Sequence, residues 1–130
     1  MKTARFPKDR IPSIRVVMMP RDTNALGTIF GGVILSQIDM AAAVEALRHH
    51  PGKTVTVAMD KVEFRQPVFV GDVVSFYTEK IRIGTTSITI RVEVWSERRL
   101  GGGENVFVTE AQVTLVAVGK SGRPIPIGSA

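Results

Sequence analysis

The chain has 130 residues, 44% of them hydrophobic, which is enough for one globular domain with its own core. It has no cysteine and only two histidines, adjacent at positions 49 and 50, so disulfides, thiolate nucleophiles, sulfur-ligated zinc and the usual metal-ligand spacings are excluded. The net charge of +5 favours an anionic partner, but aromatic residues make up only 6% and no basic run is interleaved with them, which disfavours nucleic acid.

The N-terminal segment, residues 1–12, is basic and contains two prolines, which is typical of a loose arm. Residues 13–19 follow with apolar residues in alternation, and this pattern predicts a first short strand that Pro20 ends. The next stretch, residues 21–28, is rich in residues that form turns.

A long apolar run then predicts a helix that begins near Gly31 and ends before position 51. Apolar residues occupy nearly every side of this helix, so we expect it to be buried all round. Asp39 and Glu45 break the run, so no stretch is long enough to cross a membrane, and the N-terminus lacks a signal-peptide core. These features predict a cytoplasmic protein with no membrane partner.

Two features of this helix indicate a reactive site. The glycines at its start, Gly31 and Gly32, are poor helix formers. Either they leave the unpaired N–H groups of the first turn open to an anion or oxyanion, or they allow tight packing against a strand. Asp39 lies on a stripe of small residues, and a carboxylate in an apolar setting must be paired, hydrogen-bonded or wet. Catalysis explains it better than a structural role in which Ser36 or a backbone group satisfies it.

The remainder of the chain has the pattern of strands. In the first of them the inward parity changes near Asp60 and Lys61, which predicts a β-bulge there. A strand from about Asp72 to Ile83 is followed by Gly84-Thr85, which has the form of a two-residue type II′ hairpin turn.

The last two strands of the predicted sheet cover about residues 87–97 and 106–118. The final strand carries apolar residues on both parities at its ends, which indicates a second buried face and oligomerisation. The sequence therefore predicts a single α+β domain over residues 1–130, with 1–12 and 120–130 as loose ends. It consists of one strand, one long helix and four strands joined by hairpins, arranged as a five-stranded antiparallel sheet around the helix.

Several short motifs follow one another in a fixed order along the chain. The most specific are Met19-Pro20, Asp22-Thr23-Asn24, Gly27, Ile29-Phe30-Gly31-Gly32, Ser36-Gln37 and Asp39. Others are Phe64 with Pro67, Val70-Gly71-Asp72-Val73-Val74, Gly84-Thr85-Thr86-Ser87 and Glu93-Val94-Trp95. In this spacing, over about residues 13–126, the chain resembles the hot-dog-fold acyl-CoA thioesterases. It is similar to the broad-specificity bacterial acyl-CoA hydrolases and the brain-type mammalian acyl-CoA hydrolase.

This resemblance implies hydrolysis of acyl-CoA thioesters to a free acid and coenzyme A. The catalytic carboxylate of the family falls on Asp39, and its glycine pair falls on Gly31 and Gly32. Relatives carry Asp or Asn after the glycine matched by Gly27, whereas this chain has Thr28, whose hydroxyl cannot act as a carboxylate base. We therefore expect Thr28 to contribute at most hydrogen bonding and Asn24 to orient the substrate.

Thioester hydrolysis needs a base that activates water, or a nucleophile, together with donors that stabilise the carbonyl oxygen. Asp39 supplies the first, either as the general base for water or as a nucleophile that forms an anhydride, and the N–H groups of Gly31 or Gly32 supply the second. These groups are about 10 to 12 Å apart along one helix at 1.5 Å rise per residue, so one thioester carbon cannot reach both. We therefore expect antiparallel helices of two subunits to form composite active sites across a dimer interface. The larger assembly, tetramer or hexamer, stays open.

The phosphates of coenzyme A give the positive charge of the chain a use without nucleic acid. Contacts to coenzyme A are predicted from one turn and three arginines: Gly84, Thr85, Thr86, Ser87, Arg65, Arg82 and Arg91. No metal or redox cofactor is expected, since coenzyme A enters only as part of the substrate and product.

Two other functions are weaker interpretations. A hot-dog dehydratase or hydratase normally uses a histidine in the site, whereas His49 and His50 lie at the end of the helix, where capping and the helix dipole account for them. A non-catalytic acyl-CoA-binding module would leave Asp39 unexplained.

Overall fold

The computed structural model describes residues 4–129, which form one sheet and one long helix. The elements in chain order are β1 (Ile14–Val17), a 3₁₀ turn (Pro20–Asp22), α1 (Gly31–Leu47), β2 (Thr54–Asp60), β3 (Val73–Ile83), β4 (Ser87–Glu97) and β5 (Asn105–Ala117). All strand pairs are antiparallel, in the order β1-β3-β4-β5-β2. The predicted α+β class, five-stranded sheet and single helix starting at Gly31 are confirmed. Within residues 4–129, no helix is both long and apolar enough to span a membrane.

The strand connectivity differs from the prediction at β2. Hairpins join β3 to β4 and β4 to β5, but β2 pairs with β5 at the opposite edge of the sheet from β1. Residues 61–72 carry the chain from that edge to β3. The prediction of four strands joined by hairpins is therefore wrong for β2, because sequence alternation marks a strand without identifying its neighbour.

The core lies between α1 and the sheet face formed by β3, β4 and β5. The predicted inward face of β4 is confirmed, since these four side chains are fully buried: Ile88, Ile90, Val92 and Val94. From the helix, Ile34 and Ile38 pack against them. Burial of each such side chain stabilises the fold by about 1.5 to 3 kcal/mol.

The helix buries only one side within the chain. Ile34, Ile38 and Ala41 face the sheet, whereas Met40 and Leu47 on the other side are 48% and 63% exposed. The expectation of a helix buried all round is therefore wrong for the isolated chain. The sequence is apolar on a face that nothing in the described chain covers.

The edge strand β2 is likewise open. Val55 and Val57 are both exposed, and the pairing with β5 shifts between Thr56 and Ala58, which places the irregularity at Val57 rather than at Asp60 and Lys61. Lys61 has φ +59° and lies just beyond the strand end, so the predicted change of parity there is a chain turn, not a bulge.

The described parts of both end segments lie against the domain, in contrast to the predicted loose ends. The Phe6 ring packs edge-on against Tyr77 and Trp95, and Arg10 donates a 2.7 Å hydrogen bond to the Thr78 carbonyl. At the other end, Ile127 N–H donates to the Thr85 carbonyl at 3.0 Å. The predictions for residues 1–3 and 130 lie outside the described residues.

Candidate active site

The first turn of α1 presents free backbone donors. Phe30 precedes the helix without a side-chain cap, and its own N–H donates to the Asp22 carbonyl at 2.8 Å, which fixes the entry of the chain. Within residues 4–129, the N–H groups of Gly31 and Gly32 donate to no acceptor. The helix dipole adds partial positive charge at this end, so the turn can bind an anion or a developing oxyanion.

Packing requires a glycine at position 32 but not at position 31. A Cβ at Gly32 would lie 2.5 Å from the Phe30 ring, so a side chain there would displace that ring, and tight packing accounts for this glycine. A Cβ at Gly31 would meet only the Phe64 ring, at an ordinary 3.8 Å. Packing therefore does not require glycine at position 31, and an open approach to the backbone is the remaining reason for it.

A cavity of about 300 Å³ adjoins this end of the helix. Gly31 forms part of its wall, and Ile29, Ile34, Phe64 and Val68 supply apolar surface. Arg65 and Gln66 add polar groups to the same wall. An apolar chain attached to a carbonyl group would therefore find both a lining and a nearby pair of donors.

Asp39 lies half-buried on the open side of α1. Its Oδ1 atom accepts a 2.6 Å hydrogen bond from Thr56 Oγ1 on β2. Ser36 does not satisfy it, because the Ser36 hydroxyl donates to the Val33 carbonyl at 2.8 Å. Among the residues that the structure describes, no donor reaches Oδ2, so half of the carboxylate is available to water or substrate.

Thr56 is the site residue that the sequence interpretation missed. The available signal was the alternation of Thr54 and Thr56 with Val55 and Val57, which places the two threonines on the opposite face from the valines. The hydroxyl of Thr56 fixes the direction of Asp39, so it is a positioning residue for the carboxylate.

The glycine donors and Asp39 do not meet within one chain. They are separated by about 12 Å along α1, from eight residues at 1.5 Å rise. The structure thus places the predicted base and the predicted donors on one rigid element, too far apart to contact the same atom.

Asn24 and Thr28 form a closed loop before the helix. Asn24 Oδ1 accepts hydrogen bonds from the N–H groups of Leu26 at 2.7 Å and Thr28 at 3.3 Å, while its amide donates to Thr28 Oγ1 at 3.0 Å. Gly27 completes the turn with φ +89°. The Asn24 side chain therefore holds the loop, and its role in orienting substrate stays a prediction, as does any hydrogen bond that the Thr28 hydroxyl donates.

The last turn of α1 holds a second carboxylate, Glu45, with several partners. Its oxygens accept from Thr78 Oγ1 and Arg48 Nη1, both at 2.7 Å, and lie 2.8 Å from His49 Nε2. Burial raises the pKa of Glu45, but the hydrogen bonds from Thr78 and His49 and the charge of Arg48 outweigh it, so the pKa lies below its ordinary value. This cluster ties the helix end to β3.

Histidine chemistry is not available beside Asp39. His49 is paired with Glu45, and His50 is buried with its Nδ1 atom accepting the Gly128 N–H at 3.0 Å. Helix capping, as predicted from the sequence, explains the position of both histidines at the helix end. The structure adds the hydrogen-bond partners Glu45 and Gly128. In the described part of the chain, no three His, Cys, Asp or Glu side chains lie close enough to hold a metal ion.

The predicted turn for coenzyme A is a hairpin turn of a different type. Gly84 N–H donates to the Ser87 carbonyl at 2.8 Å, so Thr85 and Thr86 are the central residues, and Gly84 does not have the positive φ that type II′ requires. The carbonyls of Thr85 and Thr86 accept from Ile127 and Ala117. The hydroxyl groups of the turn are left for a ligand, and that contact stays a prediction.

The three predicted arginines are partly engaged by the protein. Arg91 Nη2 lies 2.8 Å from Glu79 Oε1, Arg65 Nη1 lies 3.7 Å from Glu63 Oε1, and Arg82 donates to Thr89 Oγ1 at 3.4 Å. Arg65 and Arg91 line one groove, which does not include Arg82. The structure therefore brings two of the three together, and their binding of phosphate stays a prediction.

Comparison with known proteins identifies similar chains. The model of the thioesterase superfamily matches residues 26–102. An acyl-CoA thioester hydrolase of Haemophilus influenzae is 46% identical over 112 residues, covering 85% of this chain and 73% of the relative. Cj0915, a hexameric hotdog fold thioesterase of Campylobacter jejuni, is 46% identical with a TM-score of 0.85 and covers 90% of both chains. HI0827, a hexameric broad specificity acyl-coenzyme A thioesterase, is 43% identical with a TM-score of 0.85, covering 92% of this chain and 82% of that one.

Proposed function

The chain belongs to the thioesterase superfamily, and from this membership we propose that it is an acyl-CoA thioesterase that releases a free acid and coenzyme A. The observation that carries the proposal is the half-free carboxylate of Asp39 on the same helix whose first turn offers unpaired N–H groups beside an apolar cavity. These are the groups that thioester hydrolysis needs.

Asp39 acts as the general base in this proposal. Its Oδ2 atom accepts the proton of a water molecule while the water oxygen attacks the thioester carbonyl carbon. Thr56 donates to Oδ1 and holds the carboxylate in one orientation. The tetrahedral intermediate then expels the coenzyme A thiolate, protonated Asp39 returns its proton to the thiolate, and the acid is released with the base restored.

The N–H groups of Gly31 and Gly32 stabilise the negative charge that develops on the carbonyl oxygen. Both point out of the first turn of a 17-residue helix, where the dipole favours negative charge. The removal of one donor of this kind typically costs about 10² to 10³ in turnover. The acyl group would lie in the adjoining cavity, against Ile34 and Phe64.

The distance of about 12 Å along α1 supports an active site built from two chains. The open side of the helix, with Met40 and Leu47, provides an apolar surface that a second copy can cover. Antiparallel helices would then bring Asp39 of one chain to Gly31 of the other. Cj0915 and HI0827 are both hexameric, which supports a homo-oligomer built from such pairs.

Coenzyme A matches the charge of the chain. The formal net charge is +5, and the substrate carries phosphates that arginine and lysine side chains can contact. A dehydratase that relies on histidine is disfavoured, because both histidines are engaged elsewhere.

The proposal is tested by measuring thiol release from a panel of acyl-CoA thioesters. Wild type should turn over several of them, and Asp39→Asn should lose at least about a hundredfold in rate, the low end of general-base contributions. Asp9→Asn, an equal change at an exposed position of the N-terminal segment, serves as the control and should keep the wild-type rate. Unchanged rates in Asp39→Asn would end the proposed mechanism.

A further inference from the structure

Phe64 carries a half-exposed aromatic ring beside the free donors of α1. A Cβ at Gly31 would meet Cε2 and Cζ of this ring, both at 3.8 Å. The side chain is 44% exposed and, among the described residues, lies outside the buried core between α1 and the sheet. Aromatic side chains of this kind commonly line the pockets that bind small molecules. Packing of the fold therefore does not account for the ring, whereas contact with a ligand at Gly31 does.

The backbone is anchored on both sides of Phe64. The carbonyl of Glu63 accepts a 2.8 Å hydrogen bond from Thr109 Oγ1, and the N–H of Arg65 donates to the Val108 carbonyl at 2.8 Å. Both partners belong to β5, a strand of the sheet. The ring is thus held in a fixed position, although it belongs to a connection between strands. A wall that does not move can discriminate between ligands, because it does not yield to the wrong one.

The facing wall of the cavity is fixed as well. Ile29 N–H donates to the Val68 carbonyl at 2.8 Å, and both residues are buried and line the cavity. The cavity has a volume of about 300 Å³, at the lower end of the range for small-molecule pockets. The space beside the glycine donors is therefore narrow, and the exposed ring of Phe64 sets its width.

The position of the ring decides which part of an acyl group it meets. In the proposed reaction the carbonyl oxygen accepts from the N–H of Gly31 or Gly32. The edge of the Phe64 ring is one ordinary van der Waals contact from the open side of Gly31, so it lies beside the first carbons of the acyl chain. A straight chain can pass along this edge. A second substituent on the carbon next to the carbonyl needs the space that the edge occupies.

We propose that Phe64 determines specificity for the acyl group by favouring straight chains over chains branched at the carbon next to the carbonyl. This inference rests on the proposed hydrolysis and adds the class of substrate, coenzyme A thioesters of straight-chain acids. Phe64 contacts the acyl group and takes no part in proton transfer or in the binding of the oxyanion.

The test compares kcat/KM for butyryl-CoA and isobutyryl-CoA, which have the same number of carbons and differ only in the branch. Alkaline hydrolysis of the two thioesters without enzyme gives the intrinsic effect of the branch on the rate. The preference of wild type for butyryl-CoA should exceed this intrinsic ratio by at least about tenfold, the low end of the effect of one extra carbon in an apolar pocket.

Two substitutions of Phe64 change the width of the space. Phe64→Ala removes the ring and should bring the ratio close to that of alkaline hydrolysis, through a higher kcat/KM for isobutyryl-CoA. Phe64→Leu has a shorter side chain than the ring and should give an intermediate ratio. Because the ring lies outside the core, both variants should fold. If Phe64→Ala does not, Phe64→Leu still decides the question.

Phe69→Ala is the matched control. Phe69 belongs to the same connection between β2 and β3, is 42% exposed and is not part of the wall of this cavity. Its substitution removes an equal ring at an equal exposure and should keep the wild-type ratio. Thermal unfolding midpoints of all variants show that each is folded at the assay temperature.

An unchanged ratio in both Phe64 variants would overturn the inference. So would an equal fall of kcat/KM for the two substrates, since it would assign Phe64 a structural role such as burial against a second copy. The same change of ratio in Phe69→Ala would also overturn it. Wild type that hydrolyses both thioesters without preference contradicts this inference alone, whereas wild type that hydrolyses no acyl-CoA contradicts the proposed function and the inference with it.

Discussion

The two carboxylates of α1 lie six positions apart and have opposite surroundings. Glu45 is buried at the last turn and has three side-chain partners, Thr78, Arg48 and His49. Asp39 lies on the open side of the helix and, among residues 4–129, has one, Thr56, which leaves Oδ2 free. The same helix thus carries one carboxylate that the protein fully satisfies and one that it leaves half available.

This difference separates structural from chemical use of a charge. A carboxylate that general-base chemistry uses must keep a free lone pair and must be reachable by water. A carboxylate that holds elements together has its oxygens occupied and its ionised form stabilised, as at Glu45, whose pKa lies below the ordinary value despite burial. Substitutions that exchange or remove these properties one at a time test whether the two carboxylates differ in this way.

Asp39→Asn should give the largest effect, on turnover and not on stability. Loss of the base lowers thiol release at least about a hundredfold. Because only one hydrogen bond from the described residues reaches the side chain, and Asn can accept it, the free energy of unfolding should change by no more than about 0.5 kcal/mol. Denaturant titration beside the activity assay measures both, and a large loss of stability would show that Asp39 is structural after all.

Glu45→Ala should lower the stability of the fold and leave turnover near that of wild type. It removes the acceptor from Thr78 and the partner from Arg48 and His49, which leaves polar groups unpaired at a buried position. We expect a loss of about 2 kcal/mol in the free energy of unfolding, below the range for fully buried pairs because Arg48 is half exposed. Turnover of the protein that remains folded should stay near that of wild type, measured well below the new unfolding midpoint.

The sequence predicts the reactive groups of α1, but not the residues that contact its two carboxylates. Asp39, Gly31 and Gly32 were identified because an interrupted apolar run and a glycine pair are local patterns. The partners of the two carboxylates were not, because Thr56 is 17 positions from Asp39 and Thr78 is 33 positions from Glu45. Only the folded chain places a strand residue against a given turn of the helix.

The sequence pattern likewise does not identify what covers the open face of α1 or which strand pairs with β2. Composition marked α1 as apolar all round, yet Met40 and Leu47 are exposed, because a pattern of hydrophobic residues does not say whether its own chain or another copy covers them. The periodicity found all five strands. It could not place β2 beside β5, since alternation is a property of one strand and pairing is a property of two.

Thr56→Val tests whether the single partner of Asp39 matters for its chemistry. The substitution keeps the branched shape and removes the 2.6 Å hydrogen bond to Oδ1. We expect kcat to fall about tenfold, as for loss of a hydrogen bond to a charged group, with little change in KM because Thr56 positions the base rather than the substrate. Thr56→Ser retains the hydroxyl and should recover most of the rate. A rise in KM alone, or no recovery by Ser, would contradict the positioning role.

The smallest expected effect is the pH dependence of the contribution that Glu45 makes to the free energy of unfolding. Because the pKa of Glu45 is lowered in the folded state, the stability that it contributes is complete above its ordinary value of 4.5 and is lost as pH falls through the folded value. Glu45→Gln carries no titratable group at this position and cannot show that loss. The difference in free energy of unfolding between wild type and Glu45→Gln should therefore be largest near about pH 6 and narrow below about pH 4.

Glu104→Gln, at an exposed loop position, should show no such narrowing. Measurements at one protein concentration keep assembly constant. A gap that stays constant across the range would mean that the partners of Glu45 bind its carboxyl group equally well in both protonation states, so that geometry and not charge sets its structural role.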